Sequence, residues 1–326
     1  MGIGKKHSIL RTLDHVAFVF AVACIVIISG FNSEAQEHRN GKIAGPLFLL
    51  LSTPNFTIDE LIPKGLDALS SGDILAAKRY FAQAESLAGS ESSNIVDTTR
   101  FFYAYTYILA LGYDRLSNNT NDGLNNLGDI LDAFGISSSD EVRKDVTAFP
   151  IPSPFPSNSP TGAELQSFLK NKTLPELIKA QSVLNKVSNG FGKTWTEPLH
   201  QEVVESDYGD VLFFKAALNG ALSSIHAQMA YNLNCDLDTK ANTKSSIQQF
   251  LARETTFLTL AGSPATHLAQ SKGYATAALN DLQSAIVWIE AETDDQGDDY
   301  VSLADLEPQE IVQAKLDIAD AKKALN

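Results

Sequence analysis

The sequence predicts an all-α chain: antiparallel helix pairs stacked as a helical array, about nine or ten helices in all. Three observations carry this prediction. Apolar residues recur at helical spacing in long windows rich in Ala, Leu, Lys, Gln and Glu, most of them strong helix formers. No sustained apolar–polar alternation of the kind that marks strands runs along the chain. Short polar or glycine-containing turns separate the periodic windows. The stretch GPLFLLLS, 45–52, stands outside the pattern and is expected as a strand or as an extended arm packed on the helices.

In chain order, the N-terminus comes first. Lys5, Lys6 and Arg11 precede VAFVFAVACIVIISG, 16–30, an apolar run of 15 residues. That is short of the roughly 20 residues that span a bilayer. Ser33 and Ala35 then occupy small-residue positions of a signal-peptidase site, so 1–35 is expected to be a secretory signal peptide cleaved after Ala35. Cys24 follows AVA, but the apolar IVII directly behind it argues against lipidation. The 326-residue chain has a net charge of −14; residues 1–35 hold three basic and two acidic groups, which leaves −15 after cleavage. Such acidity disfavours nucleic acid and anionic membrane surfaces. It suits an exported protein, periplasmic or extracellular and associated with the envelope, that is not an integral membrane protein once cleaved. Cys235 then has no cysteine to pair with, so packing must supply the stability.

After an arm at 36–57, residues 58–88 read as helix, turn at Ser71–Gly72, helix. Ala77, Phe81, Ala84 and Leu87 share one face, the small alanines admitting a neighbouring helix and Phe81 filling the gap. Leu61, Gly65, Gly72, Ala77, Phe81 and Ala84 fall at the signature spacings of a tetratricopeptide repeat, whose period is about 34 residues. The segment resembles that family over about a tenth of the chain. Ala68 departs where the family prefers an aromatic, and Gly89 stands where its repeat often ends in proline. The resemblance implies stacked helix pairs and a scaffold or adaptor that binds a protein or peptide. Exposed positions on an inner helix, Arg79, Tyr80 and Gln83, are the partner-binding candidates.

A longer helix follows at 96–116, with Phe101, Phe102 and Tyr105 as core, and then a polar turn and a short amphipathic helix close a first half at 146. TAFPIPSPFPSNSP, 147–160, holds five of the twelve prolines and is expected as an extended linker. The second half, 161–326, begins with helix, break at Thr173, helix, where Ala180, Leu184 and Val187 repeat the earlier spacing. The FFKA at 213–216 echoes FFYA at 101–104, which points to a divergent internal duplication. Helices are expected near 243–260, 265–292 and 308–325, the last as a cap.

Catalytic motifs are few. SNGFGKT, 188–194, ends like a phosphate-binding loop, but Val187 stands where the first glycine belongs and a helix precedes it. His200, His226 and His267 lie on separate elements without ligand spacing, and read as surface or packing residues. Carboxylate pairs, Glu202 with Glu205, Asp207 with Asp210 and Glu290 with Glu292, are what an acidic helical chain accumulates without catalytic purpose. The most specific metal pattern is TDDQGDDY, 293–300, read as a degenerate calcium loop. It sets Asp294, Gln296, Asp298, Ser302 and Asp305 at ligand positions, with Asp299 where glycine belongs and Asp305 where a longer Glu belongs. A solvated connection between helices explains the same composition.

The leading expectation is therefore a non-enzymatic exported scaffold needing no cofactor, calcium being the single candidate. Two alternatives stand beside it. One is a periplasmic carrier or transporter-associated binding protein, with a cavity lined by Phe101, Tyr105, Phe213 and Phe214. The other is a hydrolase with two facing carboxylates in a cleft.

Overall fold

The computed structural model describes residues 56–89, 93–110, 159–197, 201–235, 252, 254–293, 297–303 and 306–325. The signal segment, the 45–52 stretch and most of the proline-rich linker lie outside the described residues.

Helix α1 spans Ile58–Ser70, α2 Ile74–Leu87 and α3 Asn94–Ala110. Helix α4 is continuous through three pieces: Gly162–Phe168, a π-helical stretch Leu169–Thr173, and Leu174–Leu184. Strands β1, Gly192–Thr196, and β2, Val203–Asp207, precede α5, Tyr208–Met229; α6, Pro264–Ala291, and α7, Pro308–Leu325, complete the order. Each helix packs against the next in sequence, from α1 through α7. Among the described residues no helix is long and apolar enough to cross a membrane.

Local chemistry explains the boundaries. Glu60 Oε2 accepts from Thr57 N at 2.8 Å at the start of α1, and Glu164 Oε2 accepts from Thr161 N at 2.8 Å at the start of α4, each the N3 half of a capping box. Gly72 turns the chain between α1 and α2 at φ +74°, a conformation that costs other residues more. The hairpin is antiparallel in register, since Gly65 lies directly against the Phe81 ring: a Cβ at Gly65 would sit 2.6 Å from Phe81 Cζ. Leu61, Ala77, Phe81 and Ala84 are all fully buried at this contact.

Two expectations are corrected. The break at Thr173 is a π-helical stretch instead, and the helix runs on through it. Pro175 cannot donate to the carbonyl four residues back, and a local widening absorbs that loss without ending the helix. The helix expected to reach 260 is absent over 254–260, which forms turns and bridges Tyr231 through Leu260. Leu258 there adopts φ +61°, which a helix cannot contain. The described residues are mostly helical, in keeping with the all-α class, and carry beside the helices an antiparallel two-stranded sheet of β1 and β2, pairing Gly192 with Asp207 and Thr196 with Val203.

The hairpin inserts Trp195 into a ring cluster. Phe81 stacks on Phe102 at 5.2 Å between centroids, Phe102 meets Trp195 edge-on at 5.0 Å, and Phe101 packs on Phe191 at 4.9 Å. A polar line couples the later helices. Gln181 on α4 donates to Asn219 on α5, Asn219 Nδ2 donates to Asp281 Oδ2 on α6 at 2.8 Å, and Lys215 lies 3.8 Å from Asp281 Oδ1. Burial raises the Asp281 carboxyl, partly offset by Lys215 and Asn219.

Candidate functional site

A gathering of polar and aromatic groups lies where the β-hairpin, the start of α5 and the acidic loop meet. Asp207 ends β2 and caps α5: its Oδ1 accepts from Asp210 N at 3.2 Å, while Asp210 Oδ2 accepts from Asp207 N at 3.0 Å. Trp288 on α6 donates its indole N–H to Asp207 Oδ2 at 2.8 Å. The Asp207–Asp210 pair noticed in the sequence is thus a reciprocal helix cap.

The end of the acidic loop adds a third short edge to the hairpin. Glu205 N donates to the Asp298 carbonyl and Tyr300 N donates to the Glu205 carbonyl, both at 2.7 Å, with Asp299 bridging Glu205 in parallel. This docking carries Tyr300 inward. Its hydroxyl lies 3.4 Å from that of Tyr105, and its ring sits 5.6 Å from Trp195. Trp195 donates to Ser206 Oγ at 2.9 Å.

The electrostatics follow from burial. Glu197 and Asp210 are only 4% and 3% exposed. Burial pushes the Asp210 carboxyl well above the usual carboxylate range, and repulsion from Asp207 and Asp299 adds to it, with the backbone N–H groups of Asp207 and Val301 opposing. Burial also raises the Tyr105 and Tyr300 hydroxyls, with Glu197 adding to both and Asp210 to Tyr300. The arrangement therefore favours neutral, proton-bearing groups. Glu197 and Asp210 both act on Tyr300.

Of the calcium candidates, Asp298 is held through its backbone, Ser302 is buried, and Asp294, Gln296 and Asp305 lie outside the described residues. Among the described residues no group of three or more His, Cys, Asp or Glu side chains is arranged to hold a metal ion. Of the partner-binding candidates, Arg79 and Gln83 are exposed on α2, one turn apart, while Tyr80 is half-buried against the core. The carrier residues Phe101, Tyr105 and Phe214 come together, with Phe214 5.8 Å from Tyr105 and 6.2 Å from Phe101, and they contact one another and their neighbours. Cys235 is buried.

Three side-chain assemblies escaped the sequence reading. Arg100, buried in α3, pairs with Asp97 at 3.3 Å and donates to the carbonyls of Lys186 at 3.0 Å and Gly89 at 3.1 Å. Asp97 Oδ2 in turn accepts from Ser188 N at 3.2 Å. The signal was present, since two opposite charges three apart open an otherwise apolar helix. Lys179 donates to Tyr107 Oη at 2.9 Å beside the stacked Tyr103 ring. Burial lowers the Lys179 pKa, yet its bonds to Tyr103 and Tyr107 outweigh that and raise it. His226 on α5 faces His267 on α6, Nδ1 to Nδ1, at 3.2 Å, and burial followed by His267 lowers the His226 pKa. Neither partner could be named from spacing. Comparison with known protein families, with curated proteins and with solved structures finds no match for this chain.

Proposed function

We propose that this chain is an exported, non-enzymatic helical scaffold that binds a protein or peptide through the exposed row of α2, within the cell envelope. One observation carries the reading: three of the four aromatic residues named for a carrier, and one of the acidic pairs named for a hydrolase, are engaged in packing and capping. Phe101, Tyr105 and Phe214 touch other rings, and Asp207 and Asp210 cap α5. Arg79 and Gln83 remain facing solvent on a helix whose other side is anchored by Ala77, Phe81 and Ala84. The tetratricopeptide-like spacing of 58–88 adds support by analogy. Successive packing of each helix on the next is the architecture that leaves such rows exposed.

The test places a photo-crosslinking residue at Gln83 and, as a control, at Gln309 on α7, in cells of the source organism. A discrete adduct at Gln83, lost when Arg79→Glu is added and absent at Gln309, supports the reading. A chain that shows no adduct at Gln83 and copurifies with a stoichiometric small molecule overturns it.

A further inference from the structure

We propose that His226 and His267 form a two-imidazole site for a borderline divalent transition metal of the Zn2+ or Cu2+ class, clamping α5 to α6. The geometry is that of a chelate. Zinc–imidazole bonds of about 2.0–2.1 Å at a tetrahedral angle set the two nitrogens about 3.3–3.4 Å apart. The two Nδ1 atoms lie 3.2 Å apart, with ring centroids at 5.4 Å and the ring planes inclined by 31°. In the metal-free protein the same pair shares one proton, one ring donating and the other accepting. Binding a metal requires that both rings carry their proton on Nε2, which frees both Nδ1 lone pairs, and that the rings turn so that the lone pairs converge on the ion.

Both rings are positioned by helices. His226 is buried and stacks on Tyr274 of α6 at 5.5 Å with the planes 9° apart. One turn along, Ser223 Oγ donates to the Ser271 carbonyl at 2.9 Å, tying α5 to α6 beside the histidines. Such second contacts hold ligands in a productive geometry. His267 is half-exposed, so an ion reaches the pair from solvent. Two protein ligands leave further coordination positions to water or to a small exogenous ligand, the open arrangement that structural sites lack. The site is independent of the α2 row and of the acidic loop.

The experiment uses the purified untagged chain, stripped with a chelator and dialysed. ZnCl2 is titrated by calorimetry and followed by melting temperature, and CuCl2 by electron paramagnetic resonance. The expected result is one saturable site per chain, a melting temperature that rises with zinc, and a copper spectrum with nitrogen coupling. His267→Ala should weaken zinc binding at least tenfold and abolish the thermal shift, and His226→Gln should do the same. The copper spectrum of the unaltered chain reports ligation even where a variant folds poorly. Absence of saturable binding, absence of nitrogen coupling, or binding unchanged in His267→Ala would overturn the proposal.

Discussion

Gly65→Ala should destabilise the protein, while Gly273→Ala should stabilise it, although both remove a glycine from a helix interior. A Cβ at Gly65 would lie 2.6 Å from Phe81 Cζ, 2.7 Å from Cε2 and 3.0 Å from Cε1. Carbon atoms in contact prefer about 3.5–4.0 Å, so the ring must retreat by about 1 Å. Phe81 has no exposed surface and is backed by Phe102, itself stacked at 5.2 Å and held edge-on by Trp195 at 5.0 Å. Overpacking of this kind costs about 1–3 kcal/mol. Gaining alanine returns about 1 kcal/mol of helix propensity. With a fully enclosed ring as the obstacle, the net effect at Gly65 is a loss of up to about 2 kcal/mol. At Gly273 nothing lies within 4 Å of the added carbon, so the propensity gain of up to about 1 kcal/mol stands alone. Urea unfolding followed by circular dichroism measures both, with the m-value checked for constancy. Phe81→Leu should shrink the Gly65→Ala penalty, because the shorter side chain relieves the clash. If Gly65→Ala raises the unfolding midpoint as Gly273→Ala does, the close approach of α1 and α2 is refuted.

Arg100→Met should cost about 3–5 kcal/mol, because it strands the Asp97 carboxylate, 1% exposed, without its cation. Adding Asp97→Asn should recover part of that loss in the same urea assay. Asp210 supplies a pH prediction. Its folded pKa lies above the reference value of 3.8, so the folded state holds the proton more tightly. The stability this group contributes is present below the unfolded pKa and is lost as pH rises toward the folded value. Asp210→Asn keeps an oxygen for the Asp207 N–H, and should flatten that decline and raise the melting temperature at neutral pH. Equal pH profiles for both proteins would contradict it. Trp288→Phe removes the donor to Asp207 and should cost about 1.5–3 kcal/mol, read by chemical denaturation.

Helices were legible where the determining signals are local. The final helix was expected at 308–325 and spans Pro308–Leu325, and the long one expected at 265–292 spans Pro264–Ala291. Proline at the first helical position and apolar residues at helical spacing lie within a few residues of each boundary. The α1–α2 turn was legible for the same reason, since Gly72 and the Ala77, Phe81 and Ala84 face state their own requirement. The β-hairpin was not. Five-residue strands carry too little alternation to register, and Trp195 gains its place from Phe102 and Tyr105, residues on another element.

Sequence alone determined the helical class, the acidic charge and the positions where small residues let helices approach, because each depends on composition or on neighbours a turn away. Tertiary structure decided which polar groups meet. Tyr105 reaches Tyr300 across 195 residues, Ser188 reaches Asp97 across 91, and His226 reaches His267 across 41. No periodicity encodes such pairs. They exist because burial of the helix faces fixes the spacing between elements, and a buried polar group is then retained only where a partner from a distant element arrives to satisfy it.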